Sequence, residues 1–269
     1  MSVPKKLAVC VTAHFDPSRL TYLKTISDHF SQLAQETVVT VITNTDDPQQ
    51  LAALREVLQG KGFEFRLLSV TGLDHPHLLP WSHFPVFQAQ FEDPTITNFL
   101  YVEDDLLLTR ESVLYWVTGR DQLRGRGLIP SFLRVERKLG DDRWYVTDTL
   151  QAHYRSLPSV EVSGDLHFVS LPTPYQGMYL LDRELMAEHL AGPSSHPEQH
   201  PGGWEAREKA AQGLTFSNVP AGFYARNVVP YLPMERRVDP RCLVHHLPNN
   251  YANSASVHGK VLLDELIDG

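Results

Sequence analysis

Residues 99–109 read FLYVEDDLLLT, so Glu103, Asp104 and Asp105 stand between four apolar residues and three leucines. A carboxylate taken out of water costs several kcal/mol unless a hydrogen bond or a cation compensates it. The apolar approach reads as a short strand buried on both faces, over 99–103. The acids are then delivered together to the end of that strand. With 32 acids in 269 residues, chance gives about 0.4 acidic triplets in such a chain, and requiring the apolar approach lowers this to about 0.01. The plain alternative is a strand that ends in a solvated acidic turn. The chemical reading is a set of hard oxygen donors of the kind that Mg²⁺ and Mn²⁺ prefer.

Upstream of the triplet, the periodicity alternates between strand and helix. LAVCVTA (7–13) is a strand buried on both faces, and Asp16-Pro17 supplies a cap and a first helical residue. Leu20, Leu23, Ile26, Phe30 and Leu33 recur every three or four positions and predict a helix over 17–34. ETVVTVITNT (36–45) is a second strand, and Asp47-Pro48 starts a helix marked by Leu51, Leu54, Val57 and Leu58 that Gly60 and Gly62 can end. FEFRLLSV (63–70) is a third strand. This β-α-β-α-β order implies a parallel sheet with right-handed crossovers and a ligand site at the carboxyl ends of the strands. Downstream, a helix is expected within 78–92 and another over 111–124. Short strand-like pieces fill 128–175, a strand passes into a helix over 175–190, and 191–203 forms a Pro/Gly/Ser/His loop.

Composition narrows the function class. A net charge of −8 argues against a nucleic-acid partner, because such a surface normally carries a basic stripe. Cys10 and Cys242 lie far apart, with Cys10 inside an apolar run, so no disulfide framework is expected. After Lys5-Lys6 the run LAVCV is too short for a signal peptide or a membrane span, which predicts a cytoplasmic protein without a transmembrane segment.

A Rossmann-like first half followed by an apolar strand ending in an acidic triplet resembles the GT-A fold of nucleotide-sugar glycosyltransferases and their DXD motif. Val102-Glu103-Asp104-Asp105-Leu106 looks most like the EDD form of the N-acetylglucosaminyltransferase I type. The resemblance implies one α/β domain over 1–269, with a mixed, mainly parallel sheet flanked by helices. Residues 1–110 would form the nucleotide-binding half, and 111–269 the acceptor-side half with a C-terminal metal-ligand segment. It implies an enzyme that moves a sugar from a nucleotide-diphosphate donor to a glycan or other hydroxyl acceptor, with Mn²⁺ or Mg²⁺ as cofactor. Asp105 would be the metal ligand, and Glu103 and Asp104 would help position the donor.

The same resemblance assigns further residues by position. Thr12, Ala13 and His14 after the first strand, and Thr43, Asn44 and Thr45 at the end of the second, would hold base and ribose. Ordinary turn chemistry explains the same residue types equally well. In CLVHHLPNNYAN (242–253), the resemblance makes His245 or His246 a further metal ligand, and adjacent residues on a strand face opposite ways, which allows one of them to face inward; a structural histidine is the plain alternative. Tyr175 and Gly177 would pass near donor and acceptor, the glycine allowing close backbone approach. Trp204 would stack on an acceptor sugar, and Glu205 would be the general base of an inverting displacement. Glu205 equally suits the start of a helix. Apart from the resemblance, Arg236, Arg237 and Arg241 are candidates to add positive charge near the histidines, with ordinary solvated surface as the plain alternative. Two other classes remain open: a non-catalytic nucleotide-sugar-binding module, and a nucleotidyltransferase, against which the glycine-free TAHFDPSR after the first strand argues.

Overall fold

In the computed structural model, which describes residues 2–150 and 157–268, the chain is mixed α/β, with three sheets and flanking helices. The described residues pack as two compact units, one of residues 2–110 with 177–213 and one of residues 111–176 with 214–268.

The first unit is built on the parallel sheet that the periodicity predicts. β1 (Lys6–Ala13) pairs in parallel with β2 (Glu36–Thr43), which pairs in parallel with β3 (Glu64–Ser69). β4 (Asn98–Glu103) lies on the other side of β1, also parallel, in register from Leu7↔Asn98 to Thr12↔Glu103. The strand Met178–Asp182 closes that edge antiparallel to β4. Leu7 to Val11 are wholly buried, as an apolar run covered on both faces must be. α1 (Leu20–Phe30) buries Leu23, Ile26, Ser27 and Phe30, and packs beside α2 (Pro48–Leu58), whose Asp47 cap accepts from the N–H groups of Gln49 and Gln50 at 2.9 Å.

Two predicted helices are shorter than expected. Residues 17–19 form a 3-10 turn, and α1 stops at Phe30, so Leu33 and Ala34 bury themselves in the turn into β2 rather than as a further helical turn. Within 78–92, a 3-10 segment Pro76–Ser82 precedes α3 (His83–Phe91). Pro80 lacks an N–H and blocks an α-helix through it, whereas Pro85 falls in the first turn of α3, where proline is tolerated. α3 packs on β1 and meets the helix Arg183–Ala191, which Asp182 caps by accepting from Leu185 N–H at 2.9 Å. Arg183 closes the end of α3 by donating to the carbonyls of Phe91, Asp93 and Ile96.

The second unit departs from the expectation of one mainly parallel sheet, because it carries two mainly antiparallel ones. In the first, Leu166–Ser170 pairs with Ser159–Ser163 and Asn227–Leu232, with Arg237–Val238 at one edge and Ile129–Pro130 added in parallel. In the second, Leu133–Arg137 lies between Leu243–His246, parallel, and Trp144–Val146, antiparallel, with Val261–Leu262 beyond. Most of these strands are only two to five residues long, and the connections at 138–143, 164–165 and 233–236 are too short for a crossover helix, so those neighbours pair antiparallel. The helix Arg110–Leu123 lies close enough to the first sheet that a Cβ on Gly119 would come within 2.9 Å of Pro130. Residues 151–156 of the strand-like stretch lie outside the described residues.

Candidate functional site

In the first unit the strand order 4-1-2-3 reverses between β1 and β4. Open α/β sheets bind ligands outside the carboxyl ends of their strands at such a reversal. The acidic triplet ends β4 at that point. Asp104 and Asp105 are 3% and 4% exposed. Both are met by Arg19, from the turn that follows β1. Its Nε donates to Asp104 Oδ2 at 3.1 Å and its Nη2 to Asp105 Oδ2 at 2.8 Å, and Nη2 also contacts Asp104 Oδ1.

The two sides of this pair respond in opposite senses. Hydrogen bonding to Asp104 holds the Arg19 proton more tightly than usual. Burial pushes the Asp104 carboxyl up, against the pull of Arg19 and reinforced by Asp105 and Glu103. Asp104 thus lies among like charges, with Arg19 as the opposing one.

Glu103 and Gly177 are neighbours, with Glu103 N–H donating to the Gly177 carbonyl at 3.2 Å. Gly177 has φ +66°, and a Cβ there would lie 2.7 Å from Leu106 Cδ1 and 2.9 Å from Glu103 Oε2. Only glycine fits both the backbone angle and the contact.

At the end of β1, Thr12 and Ala13 are buried and His14 is half-buried. Asn44 Oδ1 accepts from Phe15 N–H at 2.8 Å, so Asn44 fixes the loop after β1. Thr45 accepts from Asp47 N–H through its hydroxyl and from Ser69 through its carbonyl, tying the ends of β2 and β3 together. His14 is held below the usual imidazole range by burial and then by Arg19, Arg207 and His77. Acids on β4 and bases around β1 therefore share one edge of the sheet.

Glu205 is exposed and occupies the cap position of the helix Ala206–Ala210, where its side chain makes no capping hydrogen bond. Trp81 fixes this segment by donating from Nε1 to the Ala206 carbonyl at 2.7 Å while stacking on Phe84. Trp204, half-buried, precedes it. Arg207, two residues after Glu205, lies within electrostatic reach of His14.

Tyr175, His245 and His246 belong to the second unit. Tyr175 is buried beneath the Arg134 guanidinium, 5.0 Å from its ring, and Arg134 forks onto Asp148 at 2.9 and 2.7 Å. His246 Nδ1 donates to Glu136 Oε1 at 2.5 Å, and Glu136 Oε2 accepts from Ala252 N–H at 2.6 Å. His245 Nε2 donates to Asn249 Oδ1 at 2.9 Å. Arg237 and Arg241 pair locally with Glu235 and Asp239.

Among the described residues no three His, Cys, Asp or Glu side chains are grouped so as to hold a metal ion. In the same residues no helix is long and apolar enough to cross a membrane. Cys10 and Cys242 are buried free thiols.

Sequence reasoning missed Arg19 and Glu136. Both carried a signal. Arg19 is a cation at the start of a helix, where the dipole disfavours it. Glu136 alternates with Leu133 and Val135 in LRVER although it is wholly buried, so its signal was weaker, an acid in a strand whose other charged members are arginines. Comparison of the sequence with protein-family models matched none, and comparison with curated proteins found no significant relative.

Proposed function

We propose that this protein is a metal-dependent glycosyltransferase of GT-A architecture that moves a sugar from a nucleotide-diphosphate donor to an acceptor hydroxyl. The observation that carries the reading is the pair of buried carboxylates, Asp104 and Asp105, at the reversal point of a parallel sheet. Their oxygens are hard donors suited to Mg²⁺ or Mn²⁺. Bound there, such an ion supplies Lewis-acid neutralisation of a leaving diphosphate. Thr12, Ala13, Asn44 and Thr45 shape the ends of β1 and β2 for base and ribose, and Gly177 lets the backbone come close to Glu103. Glu205 takes the proton of the attacking hydroxyl, and Trp204 offers a ring face to the acceptor.

A general base contributes about 10²–10⁴-fold to the rate. Glu205→Gln keeps the shape and removes the basicity. Sugar transfer by this variant is expected to slow at least about a hundredfold, with donor binding and melting temperature nearly unchanged and the product anomer inverted. Retained anomeric configuration, or wild-type turnover by the variant, would overturn the role of Glu205. Absence of transfer or donor hydrolysis by the wild type across a nucleotide-sugar panel with Mn²⁺ would overturn the reading itself.

A further inference from the structure

β3 is the outermost strand of the parallel sheet, and among the described residues no strand pairs with its far side. Such an edge presents a row of backbone N–H and C=O groups that a further strand can take up. β3 runs beside β2 without a break from Val38↔Glu64 to Thr43↔Ser69, and its sequence EFRLLS holds no proline or glycine, so neither a bulge nor a proline blunts it. Phe65, Leu67 and Leu68 are only half-buried. The two charges on the strand, Glu64 and Arg66, are exposed and of opposite sign. They stand two positions apart and so share a face of the sheet. Arg66 is anchored through Nε, which donates to Thr40 Oγ1 at 2.8 Å, and Glu64 has no ion-pair partner among the described residues.

The register of this edge is self-complementary. Val70 N–H donates to the Thr43 carbonyl at 2.8 Å, and alternate residues of a parallel ladder bond the same neighbour, so 66 and 68 also turn their backbone groups to β2 while 65, 67 and 69 turn theirs outward. Two copies of β3 related by a two-fold axis pair antiparallel, with one residue opposite itself. With Phe65 on the axis, its outward N–H and C=O exchange bonds with those of Phe65 in the second copy, and Glu64 falls opposite Arg66 of the second copy, twice over. With Glu64 or Arg66 on the axis, a charge would face its own kind. With Leu67 there, both charges would face apolar residues. We infer that this edge takes a second copy of the chain, β3 pairing with β3 about Phe65 and joining two five-stranded sheets into one continuous sheet.

Analytical ultracentrifugation over a concentration series tests it. Wild type is expected to be dimeric at about 0.1 mM. Arg66→Glu and Glu64→Arg each set like charges opposite one another at two places in the dimer, and each is expected to raise the dimer Kd at least about tenfold. The double exchange, Glu64→Arg with Arg66→Glu, restores the opposite pairs and is expected to return Kd to within about threefold of wild type. Amide hydrogen exchange of wild type alone gives a second reading that stands whatever the variants do: the outward Phe65 N–H is expected to exchange more slowly above the Kd than below it. A wild type that is monomeric at about 0.1 mM overturns the inference. So does a dimer whose Kd ignores both single reversals, a double exchange that recovers nothing, or a Phe65 amide that exchanges alike at both concentrations, since each assigns the association to another surface.

Discussion

Glu136 in the second unit and Asp104–Asp105 in the first are both removed from water, but they are compensated by different kinds of partner. Glu136, with no exposed surface, is held by a backbone N–H of Ala252 and by the ring of His246, which stacks on Tyr251. Neither partner can leave without unfolding its surroundings. Asp104 and Asp105 are both met by one long, partly exposed side chain, Arg19. Arginine can withdraw with a few rotamer changes. A buried acid held by backbone is fixed with the chain, whereas one met by a long side chain depends on that side chain's rotamer. Histidines follow the same division. His83, His189 and His200 of the first unit are buried among rings, and His246 is spent on a carboxylate.

Acid should break this contrast with the largest effect. Burial pulls His83 down to about 3 and His200 to about 4, and it lowers His189 as well. Above about pH 6.5 folded and unfolded chains hold the same protons on these rings. Below it the unfolded chain takes up protons that the folded unit refuses, so stability falls with pH by about 1.4 kcal/mol per unit for each such histidine. Three together approach the roughly 5–15 kcal/mol that holds a domain folded. Between pH 6.5 and 4 the first unit is therefore expected to unfold. Fluorescence of Trp81 and Trp204, recorded with Trp116 and Trp144 replaced by Phe, follows it. A melting temperature flat across that window would remove the buried neutral histidines from the account.

Glu136→Ala tests the other side of the comparison. It strands His246 and the Ala252 N–H in a buried place, which costs about 3–5 kcal/mol when one member of a buried charged pair is removed. Urea denaturation measures this. A loss below about 1 kcal/mol would place Glu136 among the replaceable partners.

Gly177→Ala is the smallest change and sharpens the contrast within the first unit. Its methyl would press on Leu106 and the Glu103 carboxylate at φ +66°. A cost of about 2 kcal/mol follows from overpacking and the left-handed backbone together. The same denaturation experiment checks it, and a neutral outcome would mean that Glu103 and Leu106 move aside freely.

What the sequence revealed followed from range. β1, α1, β2, α2 and β3 announce themselves through local periodicity, and their Asp-Pro starts are the caps seen at Asp16 and Asp47. The triplet was legible because acids inside an apolar run are chemically anomalous within a few residues. Leu133–Arg137 was not legible as the centre of a sheet, since its parallel partner Leu243–His246 lies more than a hundred positions away and its apolar/charged alternation reads as a half-exposed strand although Arg134 and Glu136 are buried. Arg19 carried only the local signal of a cation at a helix start, and its partners could not be read for a related reason. Its role depends on residues 85 and 86 positions ahead. Glu136 lies between arginines in LRVER, so nothing local marked it as the wholly buried acid that it is.

The strand Met178–Asp182 also constrains how this protein is born. It covers one edge of β4, yet the ribosome makes β1 to β4 first and then the whole of 111–176 before that strand emerges. During that interval a parallel sheet with an apolar central strand has an open edge able to pair with another chain. Nascent molecules on one messenger are then most exposed to sticking together after about residue 103 and least after residue 182. Slowing translation between those points should raise the insoluble fraction, and supplying residues 178–182 earlier, by circular permutation, should lower it.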